Sequence, residues 1–224
     1  MTSPQVWTAA EAMAGLDHPR LPELRKILDW SQEFLTQGHP ELGRSGPVCP
    51  FSAPSLRRGL FHFAVEEGEV SDDTIAAYRG LFLDTLEAVS PEHRELLTFV
   101  VVLPDIDGTT LDAMQRRLKK EYVAGGLMIG QFHPSCAEPG LWNADFRPLR
   151  SPIPLLAIRT MLAFDLPFLW EEEGHLNSYL ERFAGGIPAR IRSHLVGRVV
   201  PTPHPRPAAV SAKPPVGLRR VPWR

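Results

Sequence analysis

The sequence predicts an α/β domain, a small central β-sheet flanked by helices, followed by a disordered Pro/Arg-rich tail. Three observations predict it. Between residues 59 and 132, short apolar runs alternate with two amphipathic stretches of helical period, the order expected when helices layer onto a sheet. Residues 96–103 form an apolar run broken only by Thr98, which suits a strand buried on both faces. From residue 198 the chain turns to Pro201, Pro203, Pro205, Pro207, Pro214, Pro215 and Pro222 with interspersed arginines, a composition without the apolar periodicity a core requires. The expected organisation is a loose lead-in over 1–20, a single domain over 21–197 and a basic tail over 198–224.

The first strong element is a helix over 21–37. Leu21, Leu24, Ile27, Leu28, Phe34 and Leu35 share helical spacing, and Gly38 with Pro40 stops it. A polar loop over 41–54 follows. Residues 59–65, Gly-Leu-Phe-His-Phe-Ala-Val, read as a strand. Ser71 then caps a helix reaching Val89, with Asp72 and Asp73 complementing its positive end. After the 96–103 strand and the turn Pro104 to Gly108, a helix from Thr109 or Thr110 to Val123 buries Leu111, Met114, Leu118 and Tyr122. A third strand covers 127–132. Helices are predicted over 154–163, 171–183 and 187–196.

The chain has 224 residues, 43 % hydrophobic and 22 % charged, enough for one core. A net charge of −2 supplies no general attraction to nucleic acid or a membrane surface, and no apolar run approaches the roughly 20 residues that span a bilayer. The N-terminus lacks a basic stretch followed by an apolar one, so a cytoplasmic protein with reduced thiols is expected. Its two cysteines, Cys49 and Cys136, cannot build a disulfide framework. Phosphate-cradling glycine loops and the HExxH pattern are not found in it.

Chemistry is expected in three loops. In Gly46-Pro47-Val48-Cys49-Pro50-Phe51, two prolines fix φ and remove backbone donors, holding one sulfur in a stiff loop. A held thiol serves as nucleophile, metal ligand or redox partner, or is simply a small buried hydrophobe. Phe132-His133-Pro134-Ser135-Cys136 places a histidine at a strand's carboxyl end, where it can move protons, ligate a metal or bond a carbonyl. The third loop carries Arg147 and Arg150, guanidinium forks that pair carboxylates, Asp145 and Glu138 among them. Cys49, His133 and Cys136 together would supply three zinc ligands, and Cys49 with His133 a nucleophilic dyad.

Taken in order, Val48-Cys49-Pro50-Phe51, Phe132-His133-Pro134 and Arg150-Ser151-Pro152-x-Pro154 resemble a group of bacterial domains similar to the YqcI/YcgG family. The resemblance spans residues 44–170. It implies a heme-dependent monooxygenase, an oxidoreductase with a thiolate on the iron, acting on the nitrogen of a small amine or amino-acid-like substrate and drawing electrons from a donor protein. Cys49 would be the iron ligand, His133 a catalytic polar group beside the heme, and Arg147 or Arg150 a partner for a propionate. The continuation Ser135-Cys136 departs from the relatives' more aromatic one. The alternatives are a non-enzymatic partner-binding protein of a bacterial biosynthetic pathway and a cysteine- or zinc-based catalyst.

Overall fold

The computed structural model describes residues 4–199. It opens with β1 (Trp7–Thr8) and α1 (Ala9–Met13), joined by a capping box in which Thr8 and Glu11 satisfy each other's backbone N–H groups. Helix α2 (Leu21–Trp30) continues into a π-helical turn, Ser31–Leu35, so the predicted 21–37 helix forms with a widened last turn. A short α3 (Ser52–Arg57) begins within the expected 41–54 loop and runs past its end. Then come β2 (Phe61–Val65), α4 (Asp72–Ala88), β3 (Thr98–Val102), α5 (Gly108–Ala124) and β4 (Leu127–Phe132). Ser71 caps α4 by accepting from the Thr74 N–H, as its sequence position predicts. Helix α5 starts ahead of Thr109 because the Asp107 carboxylate accepts from both Thr109 and Thr110 N–H.

The helix predicted over 154–163 is instead a strand, β5 (Leu155–Thr160). A short apolar run such as Leu155-Leu156-Ala157-Ile158 cannot be assigned by periodicity alone. Tertiary pairing decides it: β5 inserts between β3 and β4, antiparallel to both, so both of its edges are hydrogen-bonded. The described residues end in a 3-10 turn, Ala163–Phe168, then α6 (Glu173–Phe183) and α7 (Ala189–Val199). The predicted tail from residue 200 on falls outside the described residues. No described helix is long and apolar enough to cross a membrane.

The five-stranded mixed sheet has the order β1-β2-β3-β5-β4. Strand β2 runs parallel to β3, and β5 opposes both β3 and β4, so β2, β3 and β4 point the same way. Alternation sends Phe99, Val101, Ile129 and Ile158 to one face, where Tyr78 and Phe82 of α4 and Leu111 and Met114 of α5 cover them. Phe61, Phe63, Val100 and Val102 go to the other, under Leu24, Ile27 and Leu28 of α2. The same period carries Phe132 to the α2 layer and the next residue, His133, toward α5.

Candidate functional site

Crossovers β2–α4–β3 and β3–α5–β4 bring three strand ends and two helix starts to one edge of the sheet, the position where α/β proteins assemble sites. His133 sits there, 3 % exposed. Its Nε2 lies 3.1 Å from Oδ1 of Asp112, in the second turn of α5, and its Nδ1 lies 3.1 Å from Oγ of Ser135. A carboxylate only accepts, so Nε2 carries the proton and donates to Asp112. In the neutral ring Nδ1 is then the acceptor, and the Ser135 hydroxyl donates to it. Ser135 is exposed while the ring is covered. A solvent-facing hydroxyl is thus hydrogen-bonded to a buried base, which is oriented by a carboxylate on its far side. That is the arrangement of groups in a nucleophile–base–orienter relay.

The turn carrying the relay is pinned at several points. Cys136 N–H donates to the His133 carbonyl at 3.1 Å, and His133 N–H donates to the Leu149 carbonyl at 3.2 Å. Arg150 Nε donates to the Cys136 carbonyl at 3.2 Å, and the buried Ser151 hydroxyl donates to the Ile153 carbonyl at 2.7 Å. The Cys136 side chain is 1 % exposed, and burial pushes its thiol up from the ordinary range. Such a thiol is inert packing, not a reactive group.

Gly108, the first residue of α5, makes room for the ring. A Cβ at this position would lie 2.3 Å from Nδ1 of His133 and 2.7 Å from Cε1, so no larger residue fits without displacing the imidazole. Gly108→Ala gains at most about 1 kcal/mol of helix propensity against roughly 1–3 kcal/mol of overpacking. The variant is expected to lower the urea midpoint and separate His133 from Ser135. An unchanged midpoint with unchanged reactivity of Ser135 would show that the ring is not seated against this glycine.

Of the other expected site residues, Arg150 is held at this turn through the Cys136 carbonyl, whereas Cys49 and Arg147 make their hydrogen bonds to other segments. Cys49 is half-buried, and its N–H donates to the Leu35 carbonyl at 2.8 Å, while Val48 N–H donates to the Gln37 carbonyl at 2.8 Å. The loop is therefore strapped to the end of the α2 layer, whereas His133 is held by the α5 layer. His133 bonds Asp112 and Ser135 and not Cys49, so no Cys49–His133 dyad is formed, and no group of three His, Cys, Asp or Glu side chains suited to a metal occurs among the described residues. Arg147 turns its Nη1 onto the Ala144 and Phe146 carbonyls. Two surface hollows, about 470 and 440 Å³, are lined by α2 residues with Pro152 and by Arg58, Leu60 and His93, and neither reaches Cys49. The residues present thus do not fit a heme held in the way the resemblance implies: both His133 nitrogens are bonded to Asp112 and Ser135, Arg147 is bonded to backbone carbonyls, and Cys49 lines neither hollow.

His133 was identifiable from its place after an apolar strand. Asp112 and Gly108 carried no such signal. Each is an ordinary helix residue in the sequence, and only the β3–α5–β4 crossover places them against a residue more than 20 positions later.

A family model, a domain of unknown function (DUF6875), matches residues 24–194. No curated protein and no solved structure matches the chain.

Proposed function

We propose a function from geometry, because this chain belongs to the DUF6875 family, a domain of unknown function: it is an acyl-transfer enzyme of the serine type, hydrolysing a small ester. The observation that carries this is His133 hydrogen-bonded at once to an exposed hydroxyl and to a carboxylate. In the step proposed, Oγ of Ser135 bonds to the substrate's carbonyl carbon while its proton passes to Nδ1 of His133. The carbonyl electron pair moves to oxygen and returns as the bond to the leaving alkoxide breaks. That alkoxide takes the proton from Nδ1 and departs as an alcohol. Water then repeats the sequence on the Ser135 ester, giving a carboxylic acid and the free hydroxyl. Asp112 keeps the ring in one tautomer and stabilises the imidazolium between the two proton transfers.

A fluorophosphonate probe tests this directly, since it phosphonylates activated serines. The expected result is stoichiometric mass addition on the peptide containing Ser135, abolished by Ser135→Ala. No addition at Ser135 would overturn the reading. Protein produced with a heme precursor is examined in parallel. A Soret band lost in Cys49→Ser and kept in Cys136→Ser would instead favour the iron-thiolate oxygenase that the motif resemblance implies.

A further inference from the structure

We infer that Arg150 is the anchor for a free carboxylate on the substrate, so that the compound taken by the site is the ester of an acid bearing a second, ionised carboxyl group. This inference rests on the acyl-transfer reading and narrows it to a substrate class.

Arg150 is held beside the reactive turn rather than tethered loosely at the surface. Its Nε donates to the carbonyl of Cys136, the residue after Ser135. The backbone on either side is fixed by the Leu149 carbonyl accepting from His133 N–H and by the Ser151 hydroxyl bonding to Ile153. With Nε used in this way, the end of the fork remains. Neither Nη1 nor Nη2 has a protein partner among the described residues, although Arg150 is exposed. The ion pairs open to it in sequence, with Glu138 or Asp145, do not form.

The carbonyl that holds Nε belongs to Cys136, directly after Ser135 in the chain, so the fork is tethered one residue from the relay hydroxyl. A guanidinium fixed through Nε and open at both Nη atoms offers two parallel N–H bonds to a carboxylate, with little rotamer freedom left to lose. A neutral ester gains nothing from it. A half-ester of a short dicarboxylic acid can engage the fork with one end and present its carbonyl to Ser135 with the other.

Two measurements test the anchor, and only one depends on chemistry at Ser135. First, glutarate is titrated into protein with nitrogen-labelled arginine, and the Arg150 Nε–Hε resonance is followed by NMR. A saturable shift is expected in wild type and in Ser135→Ala, and no shift overturns the anchor. Second, hydrolysis of a neutral aryl acetate and an aryl hemiglutarate is compared. Wild type should favour the hemiglutarate in kcat/KM by about tenfold or more, chiefly through KM. Arg150→Gln should collapse that preference toward unity, and Arg150→Lys should restore part of it. A preference unchanged in Arg150→Gln, or one that survives while both esters slow equally, overturns the anchor and leaves Arg150 as a strap on the Cys136 carbonyl. Glutarate binding without hydrolysis of either ester would keep the anchor and reject the acyl-transfer reading.

Discussion

Replacing His133 with phenylalanine is expected to lower the rate of fluorophosphonate addition to Ser135 by about 10²–10⁴-fold, the range over which a positioned general base contributes. Phenylalanine keeps a planar ring in the space beside Gly108 and removes both nitrogens, so the loss reports the base and not an emptied cavity. The same variant withdraws the partner of two groups with unequal exposure. Ser135 is open to water and re-solvates freely; Asp112 is about one-third exposed and does so with little difficulty. The thermal midpoint should accordingly move far less than the labelling rate. Asp112→Asn should slow labelling by about 10²-fold or more, because an amide also offers a donor and no longer enforces the proton on Nε2. If both variants melt like wild type and label Ser135 at the wild-type rate, the three residues are a structural turn and not a relay.

The largest stability loss is expected from Asp165→Ala. Asp165 is 2 % exposed and stands where the chain leaves β5. Its two carboxylate oxygens accept from Arg159 Nη1 at 2.7 Å and Nη2 at 2.6 Å, and Oδ2 also accepts from the Leu162 N–H at 2.7 Å. A forked pair with one member fully covered is costly to break, because the remaining guanidinium and the N–H keep their desolvation and lose their acceptor. The Arg159 side chain is 29 % exposed, so part of its charge re-solvates, and the loss should fall near the low end for buried pairs, about 3 kcal/mol. For a chain of this length that corresponds to a fall in Tm of roughly 6–12 °C. The double variant Arg159→Met with Asp165→Ala should recover part of it, since it removes the uncompensated cation. A Tm within 2 °C of wild type for Asp165→Ala, well below the roughly 6 °C expected, would show that the pair contributes little net free energy.

How much of this was written in the chain varies by element. Strand β3 was plain because Phe99-Val100-Val101-Val102 is apolar on both sides of the pleat, and it lies in the sheet interior with both faces covered. The start of α4 was marked by Ser71, whose side chain can satisfy an orphan N–H whatever the rest of the fold does, whereas the Asp107 cap of α5 reads as part of the preceding turn. Local chemistry of this kind needs no partner from elsewhere. Strand β5 was misread because Leu155 to Ile158 satisfies helix and strand periods equally, and its choice was made by the two open edges of β3 and β4. The widened Ser31–Leu35 turn and the six-residue α3 likewise left no signature strong enough to rise above their neighbours.

The candidate site divides along the same line. From the sequence alone came the α/β class, the order of most elements, a histidine at the end of a strand and an arginine in the loop that follows it. The structure decided the company each one keeps. It set Cys49 on the α2 layer and His133 on the α5 layer, and it joined His133 to Asp112 and Ser135 and left the end of the Arg150 fork open. The physical reason is range. Capping and apolar alternation act over a few residues and are legible in the order of the chain, whereas a hydrogen bond between side chains 21 positions apart exists only after crossovers and strand insertion have fixed which ends share an edge.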